Sequence, residues 1–213
     1  MTQLPTKVYR DSRASHAHRY LLPAIRRLLA GFPETRQILD AGCGNGSLSH
    51  ELFRLGYTVT GVDASESGVA MARASFPKIT FEVASVYEMA SIVGDDFDAV
   101  VSVEVIEHLF SPRAFLRQAA LCLRPGGRLL LTTPYHGYLK NLVLALTGRL
   151  DRHFNALTEG GHIKFWSRRT LTALLQSEGW QVLDFAGAGR LPRLWKSMIL
   201  VAVWPGPTAE APP

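Results

Sequence analysis

A chain of 213 residues, 47% of them hydrophobic, holds enough apolar material for the core of one ordinary domain and little for a second. Its 23 Lys and Arg against 18 Asp and Glu give a net charge of +5, which admits an anionic substrate, nucleic acid or a membrane surface without choosing among them, a solvated basic surface being the plainer account. Two cysteines, Cys43 and Cys122, suggest no disulfide framework and fit a reducing cytoplasm, while the opening residues lack the apolar stretch of a secretory signal and no run approaches the roughly 20 apolar residues that cross a bilayer.

The first predicted element is an amphipathic helix in SRASHAHRYLLPAIRRLLAG, broken or started at Pro23, within an N-terminal segment over 1–34 that packs beside a sheet or caps a site. Short β-rich runs then alternate with helical stretches. The runs are Gln37 to Gly42, Tyr57 to Asp63, Ile79 to Val83, Phe97 to Val103 and Gly127 to Thr133, with WQVLDFAGA and SMILVAVW bringing the count to seven. Between them lie helices such as SLSHELFRLG and AFLRQAALCL, the latter stopped by Pro-Gly-Gly, and RRTLTALLQSEG before the sixth run. This alternation predicts an α/β fold: a doubly wound, Rossmann-like, mainly parallel sheet with helices on both faces. One domain over 1–204 is expected, with an insertion at 134–166 and a disordered tail at 205–213.

Where the first strand gives way to the first helix lies Asp40-Ala41-Gly42-Cys43-Gly44-Asn45-Gly46. Glycines there let the backbone turn tightly and approach a ligand closely. About twenty residues on, the second strand ends in Asp63, whose carboxylate can accept both hydroxyls of a ribose. Loop and acid imply a nucleoside-containing cofactor, a layout that dinucleotide-binding folds share.

After the fourth strand comes Glu104-Val105-Ile106-Glu107-His108. If a helix starts near Glu104, residues 104, 107 and 108 share one side at the carboxyl end of the sheet, where such folds bind ligands. Two carboxylates and an imidazole there can hold a divalent cation, with His162 as a fourth ligand. Carboxylates at a helix start also suit the helix dipole, with no metal involved. Oxygen and nitrogen ligands accept Mg²⁺ or Mn²⁺, and paired imidazoles lean toward Zn²⁺ or Fe²⁺.

The acid-led D-x-G-x-G-x-G loop, FDAVVSVEVIEHL at the fourth strand and LRPGGRLLLTTP at the fifth together resemble the class I S-adenosylmethionine-dependent methyltransferases, over nearly the whole chain from Gln37 onward. The resemblance implies that Asp40 and the loop Gly42, Cys43, Gly44 and Gly46 hold the methionine part, and that Asp63, with Ala64 beside it, holds the ribose. Where many members carry an acid for the adenine, this chain has Ala84-Ser85-Val86, so the Ser85 hydroxyl or the backbone at Ser85 and Val86 takes that place. E-x-x-E-H followed by a downstream histidine is similar to ubiquinone-biosynthesis O-methyltransferases and to small-RNA 3′-terminal 2′-O-methyltransferases. That likeness implies Glu104, Glu107, His108 and His162 as metal ligands, with Glu104 and His108 at the chemistry and His108 as general base if no metal binds.

The insertion carries Leu139, Leu142, Val143, Leu146 and Leu150 at helical spacing, with Lys140, Arg149 and Arg152 nearby, and reads as a core or cap helix more readily than as a membrane contact. Tyr135, His136 and His153 are candidates to line an acceptor pocket, and His16, His18 and Tyr20 are further ones. The expected activity is methyl transfer to a hydroxyl of a small or lipid-like molecule. RNA ribose methylation, a metal-free small-molecule methyltransferase and a catalytically silent cofactor-binding protein are the rivals, and the sequence does not give the oligomeric state.

Overall fold

All seven β-rich runs enter one sheet in the computed structural model, which describes residues 16–154, 157–158 and 160–206. The strands are β1 (Gln37–Ala41), β2 (Thr58–Asp63), β3 (Thr80–Val83), β4 (Phe97–Val103), β5 (Leu123–Pro134), β6 (Gln181–Ala188) and β7 (Ser197–Val203), in the order β3-β2-β1-β4-β5-β7-β6. The first five run parallel, and β7 lies antiparallel between β5 and β6. The expected doubly wound architecture is therefore present. The helices are α1 (His16–Ala30), α2 (Ser47–Arg54), α3 (Glu66–Ser75), α4 (Ala90–Val93), α5 (Pro112–Cys122), α6 (Tyr138–Leu146), α7 (Leu150–His153) and α8 (Arg168–Ser177).

Side chains alternate across each strand, so the sheet builds two cores. Leu39, Val62, Val100 and Leu129 face Phe115 and Leu116 of α5 and Leu171 and Leu175 of α8. Ile38, Val59, Val101 and Leu130 face Leu21 and Ile25 of α1, Leu48 and Leu52 of α2 and Val69 of α3. Burying each such side chain contributes roughly 1.5–3 kcal/mol, which is why near-continuous apolar runs become central strands. Phe53 and Leu55, apolar though they are, stay exposed where α2 ends.

Three boundaries differ from the sequence reading. Helix α1 is neither started nor broken at Pro23 but runs through it, because Leu21, Ile25, Leu28 and Leu29 all bury against the sheet and outweigh one missing amide bond. Strand β5 begins at Leu123 rather than Gly127. Leu123 pairs with Phe97 and the Gly126 amide donates to the Trp204 carbonyl, so the Pro-Gly-Gly stretch that ends α5 stays on the sheet as an irregular strand start. At the tail expected to be disordered, Pro205 is exposed and Gly206 buried, and residues 207–213 lie outside the described residues.

Pro23 is solvent-exposed in the interior of α1. Pro23→Ala should restore a helix hydrogen bond and raise unfolding free energy by about 1–2 kcal/mol, after the lost stiffening of the unfolded chain is subtracted. Urea denaturation followed by circular dichroism measures this, and a loss of stability would mean that the helix requires a kink there.

Candidate active site

Strand β1 pairs with β2 on one side and β4 on the other, and the chain leaves β1 and β4 for helices on opposite faces of the sheet. A crevice opens between the two departures. The loop leaving β1 has Gly42, Gly44 and Gly46 at φ of 86°, 54° and 75°, left-handed values that side chains rarely adopt. A Cβ on Gly46 would also lie 2.8 Å from Phe81 and Ala72. The Gly42 and Cys43 amides donate to the Val62 carbonyl at 2.8 and 2.9 Å, and the Gly44 amide donates to Asp63 Oδ2 at 2.8 Å. Asp63 Oδ1 accepts the Ser65 amide at 2.8 Å. These amide bonds fix the Asp63 carboxylate in direction at the end of β2, beside the loop.

The Cys43 side chain packs in the core below the loop, where burial pushes its thiol well above the usual range, so this residue offers the crevice its backbone alone. The Val86 side chain likewise belongs to the core, which leaves its backbone for the adenine end. Asp40 is buried and accepts the Ser49 hydroxyl at 2.6 Å, tying the end of β1 to α2; burial, with the Asp63 charge nearby, lifts its carboxyl to about 7. Ala64 is exposed beside Asp63. Ser85 is half-buried, and its hydroxyl accepts the Tyr87 amide at 3.2 Å, leaving its proton to donate elsewhere.

At the end of β4 the expected helix from Glu104 does not form. Glu104 takes φ 56° and only a short 3-10 turn, Ile106–His108, follows, so the shared-face argument for Glu104, Glu107 and His108 does not hold. Glu104 turns instead toward the sheet edge, where Oε1 accepts the Thr132 hydroxyl at 3.0 Å and Oε2 the Ser197 hydroxyl at 3.2 Å. Ser197 uses its proton there, so the Tyr20 phenol of α1, 3.0 Å away, donates to it. Burial, only partly eased by these bonds, raises Glu104 to about 7.

Glu107, His108 and His162 do converge, with one ligand atom of each within 4.8 Å of the others. The Ile163 and Lys164 amides donate to the Glu107 carbonyl at 2.9 and 3.0 Å, which brings the His162 loop over the crevice. His108 Nδ1 lies 2.9 Å from the Gly160 carbonyl and 3.2 Å from that of Gly161. Carbonyls only accept, so Nδ1 carries the proton and Nε2 keeps its lone pair. The Nε2 atoms of His108 and His162 stand 4.0 and 3.8 Å from Glu107 Oε1. Glu107 is 0% exposed and neither carboxylate oxygen has a hydrogen-bond partner among the described residues. Its burial, reinforced by the Glu104 charge, pushes the carboxyl well above the ordinary range, while burial and His108 hold His162 down at about 4. A buried, unsatisfied carboxylate beside a neutral imidazole and an available Nε2 lone pair fits a divalent cation. Glu104 stands outside this group of three.

Around the crevice, His136 is buried, with neither ring nitrogen hydrogen-bonded among the described residues, and packs 5.2–5.4 Å from the rings of His153, Phe154 and Phe165. Tyr135 meets Trp195 edge-on at 5.2 Å. His18 reaches Ser47 Oγ at 3.0 Å, holding α1 against the start of α2, and His16 opens α1. The insertion forms α6 and α7, but its apolar residues do not join the core: Leu139, Leu142, Val143 and Leu150 are exposed and Leu146 is 79% exposed. Sequence reasoning missed Thr132 and Ser197, because hydroxyls inside apolar strand runs carry no signal until the strands are paired.

A model of the methyltransferase domain family matches residues 13–184, and the chain belongs to that family. It is 35% identical over 156 residues to the ubiquinone biosynthesis O-methyltransferase of Dinoroseobacter shibae, covering 71% of this chain and 62% of that one. It is 33% identical over 163 residues to the mitochondrial ubiquinone biosynthesis O-methyltransferase of Homo sapiens, covering 71% of this chain and 43% of the other. The chain thus spans less than two thirds of the length of these curated relatives. Among solved structures, an S-adenosylmethionine-dependent methyltransferase from Mesorhizobium loti shares the fold with a TM-score of 0.67 at 21% identity, over 86% of this chain and 97% of that one.

Asp40 gives a test of the buried charge. Its carboxyl is raised from 3.8 to about 7 in the folded protein, so the stability it contributes is complete below pH 3.8 and is lost as pH rises toward 7. Asp40→Asn should flatten that decline, by an amount on the order of a few kcal/mol at pH 8, in thermal unfolding without ligand. An unchanged pH profile would show that Asp40 is ionised in the folded state with no penalty.

Proposed function

We propose that the protein is an S-adenosylmethionine-dependent O-methyltransferase, assisted by a divalent cation and acting on a hydroxyl of a small or lipid-like molecule. The observation that carries the reading is Glu107, a fully buried carboxylate with neither oxygen hydrogen-bonded among the described residues, faced by the Nε2 atoms of His108 and His162. The relatives named ubiquinone biosynthesis O-methyltransferases support the same class of acceptor. The exposed apolar residues of α6 also favour a lipid-like acceptor over RNA, whose phosphates demand a cation-lined surface.

The glycine loop lets the sulfonium end of the cofactor approach the backbone, and Asp63, held by the Gly44 and Ser65 amides, orients the ribose. The Ser85 hydroxyl donates to the adenine. Glu107, His108 and His162 hold the cation, whose chemistry is to lower the pKa of the acceptor hydroxyl and fix its oxygen. Hydrogen bonds from His108 to the Gly160 and Gly161 carbonyls set its tautomer and ring direction. Glu104, outside that group and bonded through both oxygens to Thr132 and Ser197, holds β5 and β7 together at the rim, and the proton of the acidified hydroxyl leaves to solvent. Methyl transfer itself then depends chiefly on alignment. The same reading assigns acceptor choice to the 134–166 insertion, and a soluble, cytoplasmic setting with peripheral membrane contact suits a lipid-like acceptor. No helix among the described residues is long and apolar enough to cross a membrane.

Calorimetry with S-adenosylmethionine tests the cofactor site: Asp63→Ala should weaken binding by about 1.5–3 kcal/mol if charge-assisted bonds to the ribose are lost. Unchanged affinity would remove Asp63 from the site. Chelation should abolish methyl transfer to a catechol-type acceptor while cofactor affinity stays nearly constant, and Mg²⁺, Mn²⁺, Zn²⁺ or Fe²⁺ should restore it to different extents. His162→Ala should lose bound metal, measured by elemental analysis, and keep its circular dichroism spectrum. Full turnover in chelator would sink the metal assignment and leave a metal-free methyltransferase.

A further inference from the structure

Beside the crevice, α6 and the loop leading into β7 enclose a cavity of about 300 Å³, lined by Val143, Leu144, Leu191 and Leu194 together with Lys140 and Arg190. Apart from the two cations the lining is apolar. Lys140 is only 5% exposed, unusual for a lysine on a surface helix. Its ammonium donates to the Tyr135 carbonyl at 2.7 Å and the Lys196 carbonyl at 3.4 Å, both neutral acceptors. An ammonium has three protons, so the two carbonyls do not exhaust it. Among the described residues no carboxylate forms an ion pair with Lys140 or with Arg190.

A buried charge is retained at a cost unless an opposite charge reaches it. Here burial, then the Arg190 charge, depress Lys140 to about 8, and the opposing charge of Glu104 does not offset them. Bonding to the Tyr135 and Lys196 carbonyls gives Lys140 a structural part, but two neutral acceptors leave its charge, and that of Arg190 beside it, without a counter-ion among the described residues. What the arrangement offers is two cations at the edge of an apolar hollow.

We propose that this cavity binds an amphipathic anion as a free molecule, its carboxylate or phosphate between Lys140 and Arg190 and its hydrocarbon along Val143, Leu144, Leu191 and Leu194. The volume is at the small end of ligand pockets, so a head group and the first part of an alkyl chain fill it. Binding here is independent of methyl transfer and can be measured without turnover.

The test is calorimetry with monomeric dodecanoate and dodecyl phosphate, with Trp195, next to Leu194 in the chain, as a fluorescent reporter. Both anions should bind, dodecanol should bind about tenfold more weakly or less, and inorganic phosphate should give no measurable heat, because either half of the interaction alone is insufficient. Arg190→Gln and Lys140→Met should each weaken dodecanoate binding about tenfold, and Leu194→Asp at least as much. Arg190 is exposed, so its variant carries the test if Lys140→Met fails to fold. Equal affinity for dodecanol, or no loss in Arg190→Gln, would overturn the anion site. Binding to phosphatidylglycerol vesicles with none of monomeric dodecanoate would also overturn it, assigning the surface to a bilayer instead.

Discussion

Strands β1 and β4 lie side by side at the centre of the sheet, and their chains must leave toward opposite faces because the helices that follow them cover different cores. The backbone therefore cannot close over the ends of both strands, and everything chemical in the protein is placed around that gap. From β1 comes the glycine loop, from β2 Asp63, from β4 the turn bearing Glu104, Glu107 and His108. The antiparallel β7 adds Ser197 at the same rim, since a strand running the other way starts where its neighbours end.

That rim concentrates charges the fold does not neutralise. Asp40, Glu104 and Glu107 are buried carboxyls raised by desolvation, and Lys140 is a buried ammonium lowered by it. Each destabilises the ligand-free fold, and the two apolar cores must offset the sum. The hydroxyls of Ser49, Thr132 and Ser197 ease the first two without abolishing the penalty. Glu107, with no hydrogen bond to either oxygen among the described residues and with the Glu104 charge added to its burial, is the group whose environment a bound cation would change most.

Helix α6 poses the opposite problem, apolar residues where water is. Its side chains satisfy helical spacing, but most of its apolar ones stay exposed beside only the loop that leads into β7, because β5 ends at Pro134. A helix so placed keeps its leucines available to an apolar ligand or surface. The aromatic cluster of His136, His153, Phe154 and Phe165 anchors the insertion to the rim.

How much of this was legible in the sequence follows from range. Strand alternation, the three-glycine loop and Asp63 are local patterns, written in periodicity and in the φ values only glycine tolerates easily, so the fold class was readable from the runs along the chain and the cofactor crevice from residues 37–63. Glu107 and His108 were readable as neighbours, and His162 as a histidine awaiting a partner. Only the tertiary structure brought His162 in, through amide bonds to a carbonyl more than fifty residues back. It also withdrew Glu104, since a positive φ in place of a helix turned that side chain onto β5 and β7. Burial of Lys140, exposure of α6 and the passage of α1 through Pro23 were likewise decided by packing between distant segments, whose energies no local window of sequence contains.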